Sequence, residues 1–346
     1  MYPKRRVLAQ GAEHRAHLGR AGQNSVLCRL RSHRLLQWAG GFLVPGLTAV
    51  SNLSTEQKSA VIAALTEGVC IRATERLTGI HRDTIMRLGV KVGQGCTAVH
   101  GKLMVNLHVS RCELDEVWSF VKKKKKNVRD EDLDTVGDQF IYLAMDSTGK
   151  AILSWLVGKR NYRNAQRLTD DLRHRVLGNP EISTDGYLPY LKAVDLSFVG
   201  QAPHGIVDKQ TVIIAKGPDA GNDYYAKETL VRVERTPVNL APKTISTSFI
   251  ERQNLTLRMS QRRLTRLSNG FSKKYENHCA AVALYATHYN FCRVHETLRI
   301  TPAMQLGITD HVWGVTELVN AALSDGAQAQ VKRAVAEFQV IQGGKQ

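Results

Sequence analysis

The sequence predicts an α/β protein: a mixed sheet flanked by helices, preceded by an all-α helix-turn-helix module. Three observations predict it. From Leu53 apolar residues recur at helical spacing through two segments, a Thr78-Gly79 turn and a third segment. From Arg111 the period changes to that of strands. Three strands then precede an alternation of helix and strand, an order that gives a mixed sheet with helices on its faces.

The 346 residues are room for about two domains. A net charge of +17 and a pI of about 9.7 attract polyanions, of which nucleic acid is the commonest. The six cysteines (Cys28, Cys70, Cys96, Cys112, Cys279, Cys292) show no paired C-x-x-C spacing, which argues against a structural zinc site and a disulfide framework, and for a reducing cytoplasm. No apolar run reaches the ~18–20 residues that span a membrane. Residues 1–50 carry one acidic residue, Glu13, and no sustained period, so disorder or loosely held helix is expected there. Basic charges run on to Arg34, too far for the compact start of a secretory signal. The segment is either a basic arm for DNA or a translated stretch ahead of the true start.

Ser54 and Gln57 form a capping-box signature, followed by Val61, Ile62 and Leu65 at helical spacing and a stop at Gly68. A second short helix is expected from Ile71 to Leu77, with Ala73 and Leu77 inward, and a third from His81 to Val90, with Ile85 and Leu88 inward. Helix, short turn with Gly, helix is the helix-turn-helix signature, in which the N-terminal residues of the helix after the turn enter the major groove. Here those are His81, Arg82, Asp83 and Thr84, with Arg87 one turn on; Arg82, Thr84 and Arg87 are the candidate DNA contacts. A small three-helix bundle with another purpose is the alternative.

Gly93 to Gly101 reads as a linker. Strands are expected at Cys112–Val121, Phe140–Met145 and Ala151–Val157, the last two joined by the hairpin turn Asp146-Ser147-Thr148-Gly149. A helix then runs from Asn161 to Leu177, a short strand from Glu181 to Thr184, a helical segment from Gly186 and a fifth strand from Val207 to Ala215. Residues 216–244 read as loop, Ser246–Leu267 as a long helix and Tyr275–Cys292 as another.

Three carboxylates stand out. Asp115 lies inside the first strand, where alternation puts it with Glu113 on one face and Leu114 with Glu116 on the other. A charge in mid-strand is costly unless paired or metal-bound. Asp185 ends the fourth strand, where open α/β sheets place ligands. Glu251 begins the long helix, with Asn254 and Arg258 on the same face. Singly, Asp185 is a turn residue and Glu251 a first-turn acid favoured by the helix dipole. Together, from strand, strand end and helix, they suit hard divalent cations, which take oxygen ligands. Two such ions can activate an attacking oxygen and stabilise a leaving one in phosphodiester chemistry.

The run Cys112-Glu113-Leu114-Asp115-Glu116-Val117-Trp118-Ser119-Phe120 resembles the first-aspartate strand of bacterial insertion-sequence transposases of the IS-one type. Ser246-Thr247-Ser248-Phe249-Ile250-Glu251-Arg252-Gln253-Asn254-Leu255-Thr256 resembles their glutamate helix, and Thr184-Asp185-Gly186 their second-aspartate turn. Tyr289-Asn290-Phe291-Cys292-Arg293-Val294-His295-Glu296-Thr297-Leu298, then Thr301-Pro302-Ala303-Met304, is similar to the tail of many such enzymes. The resemblance covers roughly Leu53 to Trp313; residues 1–50 and the loop 217–243 do not align. It implies a ribonuclease-H-like catalytic domain of the DDE class that uses Mg²⁺ or Mn²⁺, held by Asp115, Asp185 and Glu251 with Asp115 bridging. It implies binding to an element's terminal repeats, cleavage to a 3′-hydroxyl and strand transfer into target DNA. A homo-oligomer on double-stranded DNA in the bacterial cytoplasm, at the nucleoid and away from membranes, is expected. The division is 1–50 extension, 51–95 helix-turn-helix, 108–315 catalytic domain and 316–346 helical tail. The rivals are a non-enzymatic DNA-binding regulator derived from a mobile element and an RNA-cleaving ribonuclease-H enzyme; retention of three carboxylates opposes the first and the helix-turn-helix the second.

Arg258, Arg262, Arg263 and Arg266 along the glutamate helix, with Lys273 and Lys274 after it, are expected to track a DNA backbone. Lys122–Lys126 read as a solvated loop, with a phosphate clamp as the alternative. Trp118 and Trp155 read as core aromatics, and His295 as a local hydrogen-bonding residue, with a helper near the metals as the alternative.

Overall fold

The computed structural model describes residues 53–214, 226–236, 245–265 and 268–343, all within one structural unit, Leu35–Gln346. The expectations for residues 1–50 lie outside the described residues. Helix α1 (Thr55–Thr66) starts as its sequence requires: Ser54 Oγ accepts from the Gln57 amide at 3.2 Å, and Gln57 Oε1 accepts from the Ser54 amide at 2.9 Å. Helix α2 (Ile71–Thr78) ends on Gly79, whose φ of 70° is the left-handed conformation a side chain resists. Leu77, expected inward, is 73% exposed; Thr74 and Ile80 take the buried positions.

Helix α3 (Arg82–Leu103) runs straight through the segment expected to be a linker. The glycines that suggested a break are packing positions. A Cβ at Gly93 would lie 2.2 Å from the Ala280 carbonyl oxygen, and one at Gly95 1.9 Å from that of Ala322. They let α3 cross α7 (Tyr275–Phe291) and α9 (Val315–Leu323) with backbones nearly touching. His100, on the same helix, is fully buried against Trp155, with Nε2 3.1 Å from the Ile152 carbonyl oxygen. The nearby buried Arg175 is neutralised by Asp171 at 2.6 Å and donates to the Met104 carbonyl at 3.0 Å.

Strand β1 (Leu107–His108) pairs with β5 (Val176–Leu177) in a small parallel ribbon. The main sheet contains β2 (Arg111–Val121), β3 (Gly137–Asp146), β4 (Ile152–Gly158), β6 (Glu181–Asp185), β7 (His204–Ile214) and β8 (Ala226–Thr236), in the order β4-β3-β2-β6-β7-β8. The pairs β4/β3, β3/β2 and β7/β8 are antiparallel and the inner pairs β2/β6 and β6/β7 parallel, so the sheet is mixed. Strand β8 falls inside the stretch 216–244 that the sequence presents as loop; its row Ala226-Lys227-Glu228-Thr229-Leu230-Val231-Arg232-Val233 carries β-branched residues between charges, an edge-strand pattern hidden by flanking Gly and Pro.

Helices cover both faces. Leu114, Tyr142, Ala144 and Leu156 pack under α4 (Tyr162–Arg175) and α5 (Pro189–Phe198). Val117, Ile141, Leu143 and Val157 face α7 and α6 (Ser248–Ser260) in one hydrophobic cluster that also takes in Val61, Ile85, Val92 and Leu318. The three N-terminal helices therefore share a core with the sheet. Helix α6 is shorter than expected: it stops at Ser260, and Arg262–Leu264 form a separate 3₁₀ turn. A short α8 (Pro302–Gln305) and α10 (Asp325–Gly343) complete the helices described. None of the described helices is long and apolar enough to cross a membrane.

Candidate active site

The register of β2 and β6 makes the site. They pair from Arg111↔Glu181 to Leu114↔Thr184. Asp185 ends β6, while β2 continues to Val121 with β3 alone beside it. Helix α6 runs beside β2 and bonds it at three points, Glu113 within the paired stretch and Asp115 and Trp118 beyond it. The Ile250 amide donates to Glu113 Oε2 at 2.9 Å, Asn254 Nδ2 to Asp115 Oδ2 at 2.7 Å, and Arg258 to the Trp118 carbonyl oxygen at 3.1 Å. The first step matches because one helical turn and one strand residue pair both advance about 6 Å, and the long Arg258 side chain spans the wider step to Trp118.

This arrangement brings Asp115 and Asp185 together and adds Glu116. Carboxylate oxygens of Asp115, Glu116 and Asp185 lie within 4.8 Å of one another. Alternation along the strand had set Glu116 apart from Asp115. Past the end of β6 that rule loses its force, since both faces of β2 open into one notch. Two successive acids where a strand outruns its neighbour are the signal that would have found it. Glu251, exposed on the first turn of α6, accepts from Thr247 Oγ1 at 2.6 Å and shares with Asp185 a cavity of about 520 Å³ that Arg160 and Tyr187 also line. Glu113, on the Asp115 face, is a structural acid: it is buried and receives the Ile250 amide and, at 3.2 Å, the Ser147 hydroxyl.

The cluster is electrostatically strained. Burial, then the Asp185 charge, pushes the Asp115 carboxyl up to about 7, and Glu251 adds to the push. Burial and Asp185 also push Glu116 up to about 7. Asp185 is raised too, by burial foremost. Arg160, just before α4, is a cation in reach: its guanidinium lies 3.3 Å from Glu116 Oε2 and 3.9 Å from Asp185 Oδ2, stacked on the Tyr187 ring at 3.9 Å. The Tyr190 hydroxyl favours the charged form of Glu116, yet Glu116 Oε1 and Tyr190 Oη have no aligned hydrogen-bond partner. The carboxyls of Asp115, Glu116 and Asp185 stay raised even with Arg160 beside them, so among the described residues the cluster is acidic. An all-oxygen donor set of this kind suits a hard divalent cation.

The candidate DNA contacts are distributed as follows. Arg82 and Arg87 are exposed at the start of α3 and Thr84 is half-buried; Arg72 and Arg76 are exposed on α2 beside them. Arg258 is committed to the Trp118 carbonyl. Arg262 is exposed on the 3₁₀ turn rather than on the long helix. Arg263 is half-buried and donates to Ser272 Oγ at 3.3 Å, and burial lowers its guanidinium to about 10. Arg266 lies outside the described residues. Trp155 is buried as expected, whereas Trp118 is only half-buried and lines a second cavity. His295 bonds locally, to Thr297 Oγ1 at 2.9 Å.

No family model matches this chain, and no curated protein matches it.

Proposed function

We propose that this chain is a DNA transposase whose acidic notch carries metal-dependent cleavage and strand transfer, on a ribonuclease-H-like sheet. The observation that carries the reading is the convergence of Asp115, Asp185 and Glu251 from a strand, an adjacent strand end and a helix, with Asp115 pushed up to about 7 by burial and its acidic neighbours. Such mutual repulsion has a use where a cation binds. The element order, three antiparallel strands, helix α4, strands β5 and β6, helix α5, strands β7 and β8 and then helix α6, supports the fold assignment. The exposed arginines of α2 and α3 support binding of duplex DNA, by the terminal-repeat recognition that the sequence resemblance implies.

Asp115, Asp185 and Glu251 would hold Mg²⁺ or Mn²⁺, with Glu116 beside them. Divalent ions bound there would supply the charge that favours an attacking oxygen and a leaving phosphate oxygen. The chain's own groups do the rest. Asn254 fixes the Asp115 carboxylate by its hydrogen bond. Arg160 orients Glu116 and Asp185 and offers its remaining donors to a phosphate. Tyr187 holds the guanidinium plane by stacking.

The test is an in vitro assay on a plasmid bearing the element's ends, with Mg²⁺ or Mn²⁺. Asp115→Asn, Asp185→Asn and Glu251→Gln should each abolish cleavage and strand transfer while end binding persists. Wild-type cleavage by any one variant removes that residue from the site, and a wild-type chain that binds the ends without cutting in either metal supports a DNA-binding regulator instead.

A further inference from the structure

Beyond Asp115 the freed edge of β2 leads to a second cavity, of about 480 Å³. Its apolar wall is aromatic. Trp118 and Phe120 have ring centroids 5.7 Å apart, and Phe120 and Phe271 4.8 Å apart; all three are half-buried and line the cavity. Its rim is cationic. Lys124, 5.8 Å from the Phe120 centroid, lines the cavity with Arg258 and Arg263, and Lys273, outside the lining, sits 3.5 Å from the Phe271 centroid. No carboxylate is among the described residues that line it. Arg263 has the Ser272 hydroxyl as a partner and no paired carboxylate among the described residues. A partly buried guanidinium without a counter-charge is costly, and an anion entering the cavity would relieve it.

We infer that this cavity is a binding site for one unstacked nucleotide of DNA, its base against Trp118, Phe120 and Phe271 and its phosphate toward Arg263. This rests on the reading of the chain as a DNA-processing enzyme. Flat apolar walls with cations around them fit a base and phosphate, because every base offers a π-face and the backbone offers charge. An apolar protein segment would gain nothing from the cationic rim. The position also fits. Trp118 is three residues from Asp115 on an extended strand, roughly 10 Å away. Along α6, Glu251 opens on the acidic cavity, Asn254 holds Asp115, and Arg258 opens on the aromatic one. A strand cut at the acidic notch would thus have a neighbouring nucleotide held out of the duplex stack, which frees the reacting end from pairing.

The experiment uses the full chain and two probes of one sequence: a single strand carrying 2-aminopurine, and the fully paired duplex. Phe120→Leu and Phe271→Leu keep apolar volume and remove a ring face. Each should weaken single-strand binding roughly ten-fold and lessen the quenching of 2-aminopurine, with duplex affinity within about two-fold of wild type. Arg263→Gln should reduce the salt dependence of single-strand binding by about one ion. Thermal melts check folding; if a Leu variant is unfolded, Trp118→Phe and Lys124→Ala decide the matter by the same readouts. Leu variants that bind and quench like wild type overturn the nucleotide site while duplex binding and metal-dependent cleavage leave the transposase reading standing. A wild-type chain that binds neither probe removes both.

Discussion

Asn254 Nδ2 donates to Asp115 Oδ2 at 2.7 Å, and Asn254 Oδ1, buried beside it, has no aligned hydrogen-bond partner. The amide is thus fixed by one bond, to a carboxylate crowded by Asp185 and Glu251. That bond favours the charged form of Asp115 against burial and its neighbours. Asn254→Ala should lower cleavage about 10- to 100-fold, the usual cost of losing a group that orients a metal ligand. Part of the loss should return at higher Mg²⁺, because the defect is in holding Asp115 rather than in chemistry. Asn254→Asp should be worse, since it replaces a donor by another charge. Activity of Asn254→Ala that is low but indifferent to Mg²⁺ concentration would point to misfolding instead.

The crowding of acids sets a pH dependence. Asp115 and Glu116 are each raised to about 7 in the folded chain, whereas unfolded carboxyls titrate near 4. Between those values the folded state binds more protons, so its stability falls as pH rises from about 4 to about 7. Metal-free protein in chelator should therefore melt at lower temperature at pH 8 than at pH 5.5 on account of this cluster. Added Mg²⁺ should raise the melting temperature more at pH 8, where protons no longer compete. Asp115→Asn and Glu116→Gln should flatten both effects, and an unchanged pH slope in the double variant would show that the strain lies elsewhere.

Glu116 also shows where the sequence stops being legible. The periods of strand and helix located the sheet strands Arg111–Val121 and Glu181–Asp185 and the helix around Glu251, because hydrophobic alternation is local. The meeting of Asp115 with Asp185 rests on strand order and register, which are non-local, and the inclusion of Glu116 rests on where β6 ends. Gly93 and Gly95 misled for a related reason: glycine in a sequence reads as a breaker, while its role here comes from helices distant in the chain. Arg262 and Arg263 read in the sequence as part of α6 because nothing local marks Gln261 as its end.

Those glycines give a stability test. At Gly93 a Cβ would meet the Ala280 carbonyl oxygen at 2.2 Å, and at Gly95 that of Ala322 at 1.9 Å, both rigid backbone. Elsewhere on an exposed helix Gly→Ala stabilises by roughly 1 kcal/mol. Here overpacking should outweigh the propensity, and Gly93→Ala and Gly95→Ala should each lose at least about 1–3 kcal/mol. Gly101→Ala, on the same helix with open space at the Cβ position, is the control and should hold or gain stability. Equal melting temperatures for the three would mean that α3 does not approach α7 and α9 this closely.

The two exposed basic regions should divide their labour on DNA. Arg82 stands at the start of α3, its own amide bonded to Glu75 Oε1 at 2.9 Å, which ties the helix start to α2 and leaves the guanidinium exposed. Arg262 is exposed on the turn after α6. A side chain that reads a base edge contributes discrimination of about 1–3 kcal/mol at one position. A phosphate contact contributes to every sequence, and its loss lowers the salt slope by about one. Arg82→Ala should therefore relax the preference for the element's ends, with random duplex bound nearly as before. Arg262→Ala should weaken specific and random duplexes alike, more at low salt than at high. Titrations of both duplexes at several salt concentrations separate the two. Equal weakening of both duplexes by Arg82→Ala would take the start of α3 out of the major groove, and an unchanged salt slope in Arg262→Ala would take the turn off the DNA backbone.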